Sequence, residues 1–112
     1  MVSKLKEVEL YELILLIKFT STEEEIKEKI ERYRNFLTEK GSRVMVKDHG
    51  KRSLAYPISG FTTASYIQFI YLGNGDLVKL LNTEIGRDEF ILRAITTKLQ
   101  DESVSEMFAT AI

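Results

Sequence analysis

The chain has 112 residues, 16 basic and 17 acidic side chains, a net charge of −1 and no cysteine. That is one domain's length, enough to close a two-layer core without covalent staples. Disulfides and thiolate metal sites are excluded, and so is RNA binding through bulk positive charge alone. No apolar run approaches the roughly 18–20 residues of a membrane span, and residues 1–9 lack the apolar region of a signal peptide. The expectation is a soluble protein of a cytoplasm or organelle matrix.

Residues 9–19 are β-rich and apolar and stop at Thr20, Ser21 and Thr22, so they read as a central strand. A helix follows. Ser21 or Thr22 can cap it, with Glu24 or Glu25 as capping-box partner, and three consecutive glutamates favour its positive end. Ile26, Ile30, Tyr33 and Leu37 form one apolar stripe, and Gly41 suits the position past the helix end. Residues 43–47 alternate as a strand, Asp48, His49 and Gly50 suggest a bend or bulge, and residues 53–58 resume an extended run that Pro57 and Gly60 stop. Residues 64–72 form a long aromatic strand. Gly73, Asn74 and Gly75 make a turn with Asp76 as candidate N-cap, residues 77–85 a short helix ended by Gly86, and residues 90–98 the last strand.

The order strand, helix, strand, strand, helix, strand predicts an α+β fold. It is the ferredoxin-like βαββαβ sandwich, with a four-stranded antiparallel sheet and both helices on one face. Residues 1–98 would be that single domain and residues 99–112 an acidic C-terminal tail. Charge is unevenly spread. Residues 42–58 carry four bases against one acid, and residues 99–112 carry three acids and no base.

Both faces of the first and third strands are largely apolar, although helices can cover only one. The other face is expected to meet a protein partner, since apolar patches of this size mark interaction surfaces. Alternation assigns Ile14, Leu16, Ile67, Phe69 and Tyr71 to that partner face, an assignment that a one-residue register change would invert. The alternative is that central strands tolerate apolar residues on both faces and the tail covers them; the tail's Val104, Met107 and Phe108 could serve either reading.

Little here suggests catalysis. His49 is the single histidine; with no cysteine it cannot build a metal site, and nothing supplies the constellation a general base needs. The glycine-rich turn before the second helix lacks the Lys and Ser/Thr of a phosphate loop. The acidic pairs Asp88-Glu89 and Asp101-Glu102 read as solvated. No cofactor, catalytic residue, metal or small-molecule substrate is expected.

His49-Gly50-Lys51-Arg52-Ser53-Leu54-Ala55-Tyr56-Pro57-Ile58 closely resembles the signature of the family of the sixth protein of the bacterial-type small ribosomal subunit. Tyr11-Glu12 in the first strand, Glu31-Arg32-Tyr33 in the first helix and Ile91-Leu92-Arg93 in the last strand agree with the family pattern. The resemblance covers residues 9–98, and the turn at Gly73 is most similar to cyanobacterial and plastid members. The sequence departs at residues 87–93, one residue longer than in many members, and at His49, where a bulky apolar residue is common.

The resemblance implies a non-catalytic constituent of the small subunit, in a bacterial cytoplasm or plastid stroma. It would bind the central domain of small-subunit rRNA together with a short basic ribosomal protein, the eighteenth of the set. It implies rRNA contact by Lys51, Arg52 and Arg93, and also by Tyr11 and Lys98. A competing reading is an RNA-recognition motif outside the ribosome, but residues 64–72 lack that motif's glycine pattern.

Overall fold

The computed structural model describes residues 9–18 and 22–99. In chain order the elements are β1 (Glu9–Lys18), α1 (Glu23–Glu39), β2 (Val44–Ile58), β3 (Phe61–Gly73), α2 (Gly75–Gly86) and β4 (Ile91–Leu99). All strand pairings are antiparallel, in the order β2-β3-β1-β4. The ferredoxin-like sandwich expected from the sequence is the observed fold. The acidic segment past Leu99 lies outside the described residues.

Local chemistry sets the helix ends. Thr22 caps α1: its hydroxyl accepts from the Glu25 N–H at 3.1 Å, and the Glu25 carboxylate accepts from the Thr22 N–H at 2.7 Å. This reciprocal capping box satisfies two donors that a helix start otherwise leaves unpaired. At α2 the cap is Asn74, whose side-chain oxygen accepts from the Leu77 N–H at 2.9 Å; Asp76, the candidate from sequence, lies inside the first turn.

The core lies between the helices and one face of the sheet. Leu13, Leu15 and Ile17 of β1 pack with Ile67, Phe69 and Tyr71 of β3 against Tyr33, Leu37, Leu77, Leu81 and Ile85. The register explains the grouping. Leu13 pairs with Phe69 and Leu15 with Ile67, and directly opposed residues project to the same side of an antiparallel sheet. Ile67, Phe69 and Tyr71 therefore belong to the helix-covered face, and each is fully buried. Their assignment to a partner face with Ile14 and Leu16 is corrected here, because Ile14 and Leu16 point to the opposite side. The Tyr71 hydroxyl has no hydrogen-bond partner among the described residues, and burial pushes it up to about 12.

Two further sequence readings change. The buried stripe of α1 is Ile26, Lys29, Tyr33 and Leu37; Ile30 is half-buried at its margin. Lys29 belongs there because its ammonium meets Asp88 at 2.9 Å. Asp88 is not solvated: its side chain is 4 % exposed. It also accepts from the Tyr33 hydroxyl at 2.7 Å and from the Phe90 N–H at 2.9 Å. Desolvation alone would raise the Asp88 carboxyl, but the hydrogen bonds from Lys29, Tyr33 and Phe90 together hold it below its ordinary value. The Lys29 ammonium also lies 4.9 Å from the centre of the Phe90 ring. This knot fastens α1 to the entry of β4.

Two predictions follow from this packing. Phe69→Ala should cost about 3–5 kcal/mol in urea denaturation, as buried aromatic truncations do, and Phe69→Asp should prevent folding. Asp88→Asn should cost about 3–5 kcal/mol at neutral pH by leaving Lys29 buried and unpaired. The carboxyl's folded value is depressed, so its contribution is present above the unfolded value and lost as pH falls through the folded one. The gap between wild type and variant should therefore close below about pH 4, and a gap that stayed constant with pH would rule out the ionised knot.

Candidate nucleic-acid and protein interface

The face of the sheet turned away from the helices can be read row by row. Lys47, Gln68, Ile14 and Ile95 lie in one row across the four strands, and Met45, Ile70, Glu12 and Thr97 in the next. Towards the β2–β3 turn the following row is Gly50, Tyr66, Leu16 and Arg93. Ile14, Leu16 and Ala64 form an apolar cluster that Leu54, Ile58, Tyr66 and Leu92 flank, and a second cluster gathers Leu10, Met45 and Leu99 around Ile70. Ile95 stands 46 % exposed in the middle of β4. Two of the sequence-assigned partner residues, Ile14 and Leu16, are on this face. Gln68, Tyr66, Ile70 and Ile95 complete it.

His49 explains which way the neighbouring bases point. The pairing shifts between Asp48 and Gly50, so His49 is an extra residue in β2, and Gly50 takes a positive φ of 78°. Its N–H bonds the Asp48 carboxylate at 2.8 Å. Ahead of this bulge Met45 and Lys47 face the open side. After it, that side belongs to Gly50 and Arg52, while Lys51, opposite Ser65, turns to the other. Both bases are exposed, and the Arg52 Nε–H donates to the His49 carbonyl at 3.2 Å.

The signature run forms a second irregularity. Ser53 pairs with Thr63 and the next pair is Ile58 with Phe61, so Leu54, Ala55, Tyr56 and Pro57 stand against Thr62 alone. Proline supplies no N–H to the ladder, which fits this bulged position on an edge strand. Ser59 and Gly60 close the hairpin with φ of 49° and 84°, the positive values a tight hairpin turn requires. Among the described residues Tyr56 is the most exposed large apolar or aromatic side chain, at 63 %.

The five residues proposed for rRNA contact are not brought together. Arg52 and Arg93 lie on the open side near the same end, on the two edge strands. Lys51 is beside Arg52 on the hairpin but faces the other way. Tyr11 and Lys98 oppose one another near the far end, on the helix-side parity. The Tyr11 ring stacks on Tyr71 with centroids 5.8 Å apart. Lys98 pairs with Glu9 at 2.8 Å, and this hydrogen bond holds its ammonium above the usual lysine range. Sequence reasoning passed over Tyr66 and Ile95, and gave Gln68 and Ile70 only as the parity to which the docking surface would move if the faces were exchanged. Their signal was alternation in β3 and β4, unreadable without the register.

This geometry defines a class: a ferredoxin-like α+β domain with one open, mixed apolar and basic sheet face. The comparisons narrow it. The profile of "Ribosomal protein S6" matches residues 10–98. The small ribosomal subunit protein bS6 of Rippkaea orientalis is 36 % identical over 99 residues, covering 88 % of this chain and 79 % of that one. The bS6c protein of Guillardia theta is 33 % identical over 90 residues, covering 80 % of this chain and 94 % of that one. The crystal structure of 30S ribosomal protein S6 from Thermotoga maritima superposes with a TM-score of 0.80 at 24 % identity, over 92 % of this chain and 98 % of that one, and so shares the fold.

The chain belongs to the ribosomal protein S6 family. It is a structural protein of the small ribosomal subunit and not an enzyme. This sets aside the RNA-recognition-motif reading.

Proposed function

We propose that this chain holds the central domain of small-subunit rRNA jointly with the eighteenth small-subunit protein, a short basic chain that docks on the open sheet face. Its setting is a bacterial-type ribosome, in a bacterial cytoplasm or a plastid stroma. The observation that carries the reading is the composition of that face. Ile95, 46 % exposed, and the half-buried Tyr66 stand on it beside Ile14, Leu16 and Ile70, which are only 8 %, 7 % and 2 % exposed, on a domain whose helices cover the other side. A net charge of −1 makes the domain a weak binder of phosphate alone. A basic partner would cover Ile95 and Tyr66 and supply the missing charge together.

Lys51, Arg52 and Arg93 are the proposed rRNA contacts of this chain. They would position the phosphate backbone without reading bases. Tyr56, exposed on the same strand as the two bases, would lie against a ribose or an unstacked base. Tyr11 and Lys98, occupied with Tyr71 and Glu9, are left out of the proposed contact.

The experiment is a pair of titrations of a central-domain rRNA fragment, one with this protein alone and one with its mixture with the basic partner. The mixture should bind much more tightly; equal affinity would end the joint-binding reading. Ile95→Asp should break the protein–protein complex yet leave the melting temperature nearly unchanged, because its site is half open in the monomer and desolvated only beneath the partner. Replacing both Lys51 and Arg52 by Ala should weaken rRNA binding by the complex alike for all sequences. The slope of log K against log salt should flatten by about 1.4–1.8, two phosphate contacts' worth. An unchanged slope would remove the pair from the interface.

A further inference from the structure

We propose that Glu12 is the receptor for one arginine of the docked basic protein, with Gln68 and His49 as the residues that position it. This rests on the partner reading above and deepens it.

Glu12 is in β1, one of the two inner strands, in the middle of the open face. Its cross-strand neighbours are Ile70 on β3 and Thr97 on β4, and Leu10 and Ile14 flank it along the strand. Among the described residues its carboxylate has one hydrogen-bond partner, the Gln68 Nε2–H at 2.7 Å, and no ion pair. The carbonyl oxygen of that amide is engaged as well. The Gln68 Oε1 lies 2.9 Å from His49 Nε2, and with the amide oxygen accepting, Nε2 carries the proton. The imidazole is held edge-on to the Tyr66 ring at 5.3 Å. Three side chains from three adjacent strands thus form a fixed chain that ends on a carboxylate with one partner, where an ionised carboxylate offers about four acceptor sites.

A partner that covers this face encloses Glu12. An ionised carboxylate among isoleucine and leucine side chains is strongly disfavoured once water is removed, unless a cation comes with the cover. The chain's own bases on this side, Lys18, Lys47, Arg52 and Arg93, stand in other rows, so none is opposite Glu12. The cation must come from the partner. Arginine fits better than lysine: its planar guanidinium is less strongly hydrated, can bond a carboxylate through two N–H groups and can lie flat against apolar neighbours. RNA would not suit this spot, because a phosphate over Glu12 meets like charge. The face therefore divides, with a carboxylate for protein at its centre and bases for RNA towards its rim.

The test uses the full chain and the eighteenth small-subunit protein encoded in the same genome, titrated calorimetrically at moderate salt. Glu12→Gln keeps the shape and removes the charge, and should weaken the complex by about 30-fold or more with the melting temperature unchanged. Gln68→Ala should weaken it less, since it frees Glu12 without discharging it. A second arm leaves this chain intact: the partner's arginines are replaced one at a time by alanine. One of them should reproduce the loss seen with Glu12→Gln, and combining the two should add nothing further. Wild-type binding with Glu12→Gln equally tight, or with no arginine coupled to Glu12, overturns the receptor and leaves the partner reading intact. No binding by the wild type overturns both. If Glu12→Gln bound the rRNA fragment alone more tightly than wild type does, phosphate would lie over this spot and the receptor would again be overturned.

Discussion

The pairing of β1 with β3 is the constraint on which the rest of the molecule depends. These are the two inner strands, and the register that sets Leu13 against Phe69 and Leu15 against Ile67 decides which side chains both helices must cover. A one-residue slip would exchange the faces and bring Gln68 and Glu12 beneath the helices, where their polar groups would lose water. The same register turns Ile14, Leu16 and Ile70 to the opposite face. The apolar core and the open interface are thus two outcomes of one pairing.

The Lys29–Asp88–Tyr33 knot shows how a polar cluster can sit against that core. Each member alone would be costly to desolvate, and together they satisfy one another. The knot lies where the chain enters β4, and the adjacent Phe90 carbonyl accepts the Lys18 N–H at 2.9 Å. It thereby ties α1 to the start of the edge strand that carries Arg93 and Ile95. Arg93 and Ile95 on β4 owe their position in part to a carboxylate on the other side of the sheet.

The bulge at His49 has a comparable reach. One added residue reverses the alternation of β2, so Lys47 and Arg52, five positions apart, share the open face. It also sends Lys51 to the opposite side. The histidine released from the ladder becomes the anchor of the polar chain through Gln68 to Glu12. Shape and electrostatics on this face come from the same local irregularity. For a domain of net charge −1, such placement of a few charges matters more than their total.

Much of the fold was legible in the residues themselves, because it is encoded locally. Thr22 with Glu25 marks a helix start, the spacing of Ile26, Tyr33 and Leu37 its buried side, and the alternating strands on either side complete the ferredoxin-like order. The run from Gly50 to Ile58 carried the family resemblance without any geometry. Which face belongs to which partner was not legible, since both faces of β1 and β3 are apolar and alternation alone leaves two solutions. Choosing between them needs the interstrand register: Ile14 lies opposite Gln68, so even-numbered residues of β1 and β3 share one side, while Ile95 joins that side from an odd position in β4. Lys29 and Asp88 eluded the sequence reading for a similar reason. They are 59 positions apart, and a lysine on an apolar stripe is burdensome until the fold brings its counter-charge to 2.9 Å. Local chemistry specified the elements; long-range pairing between strands, which no single segment encodes, decided what each face could bind.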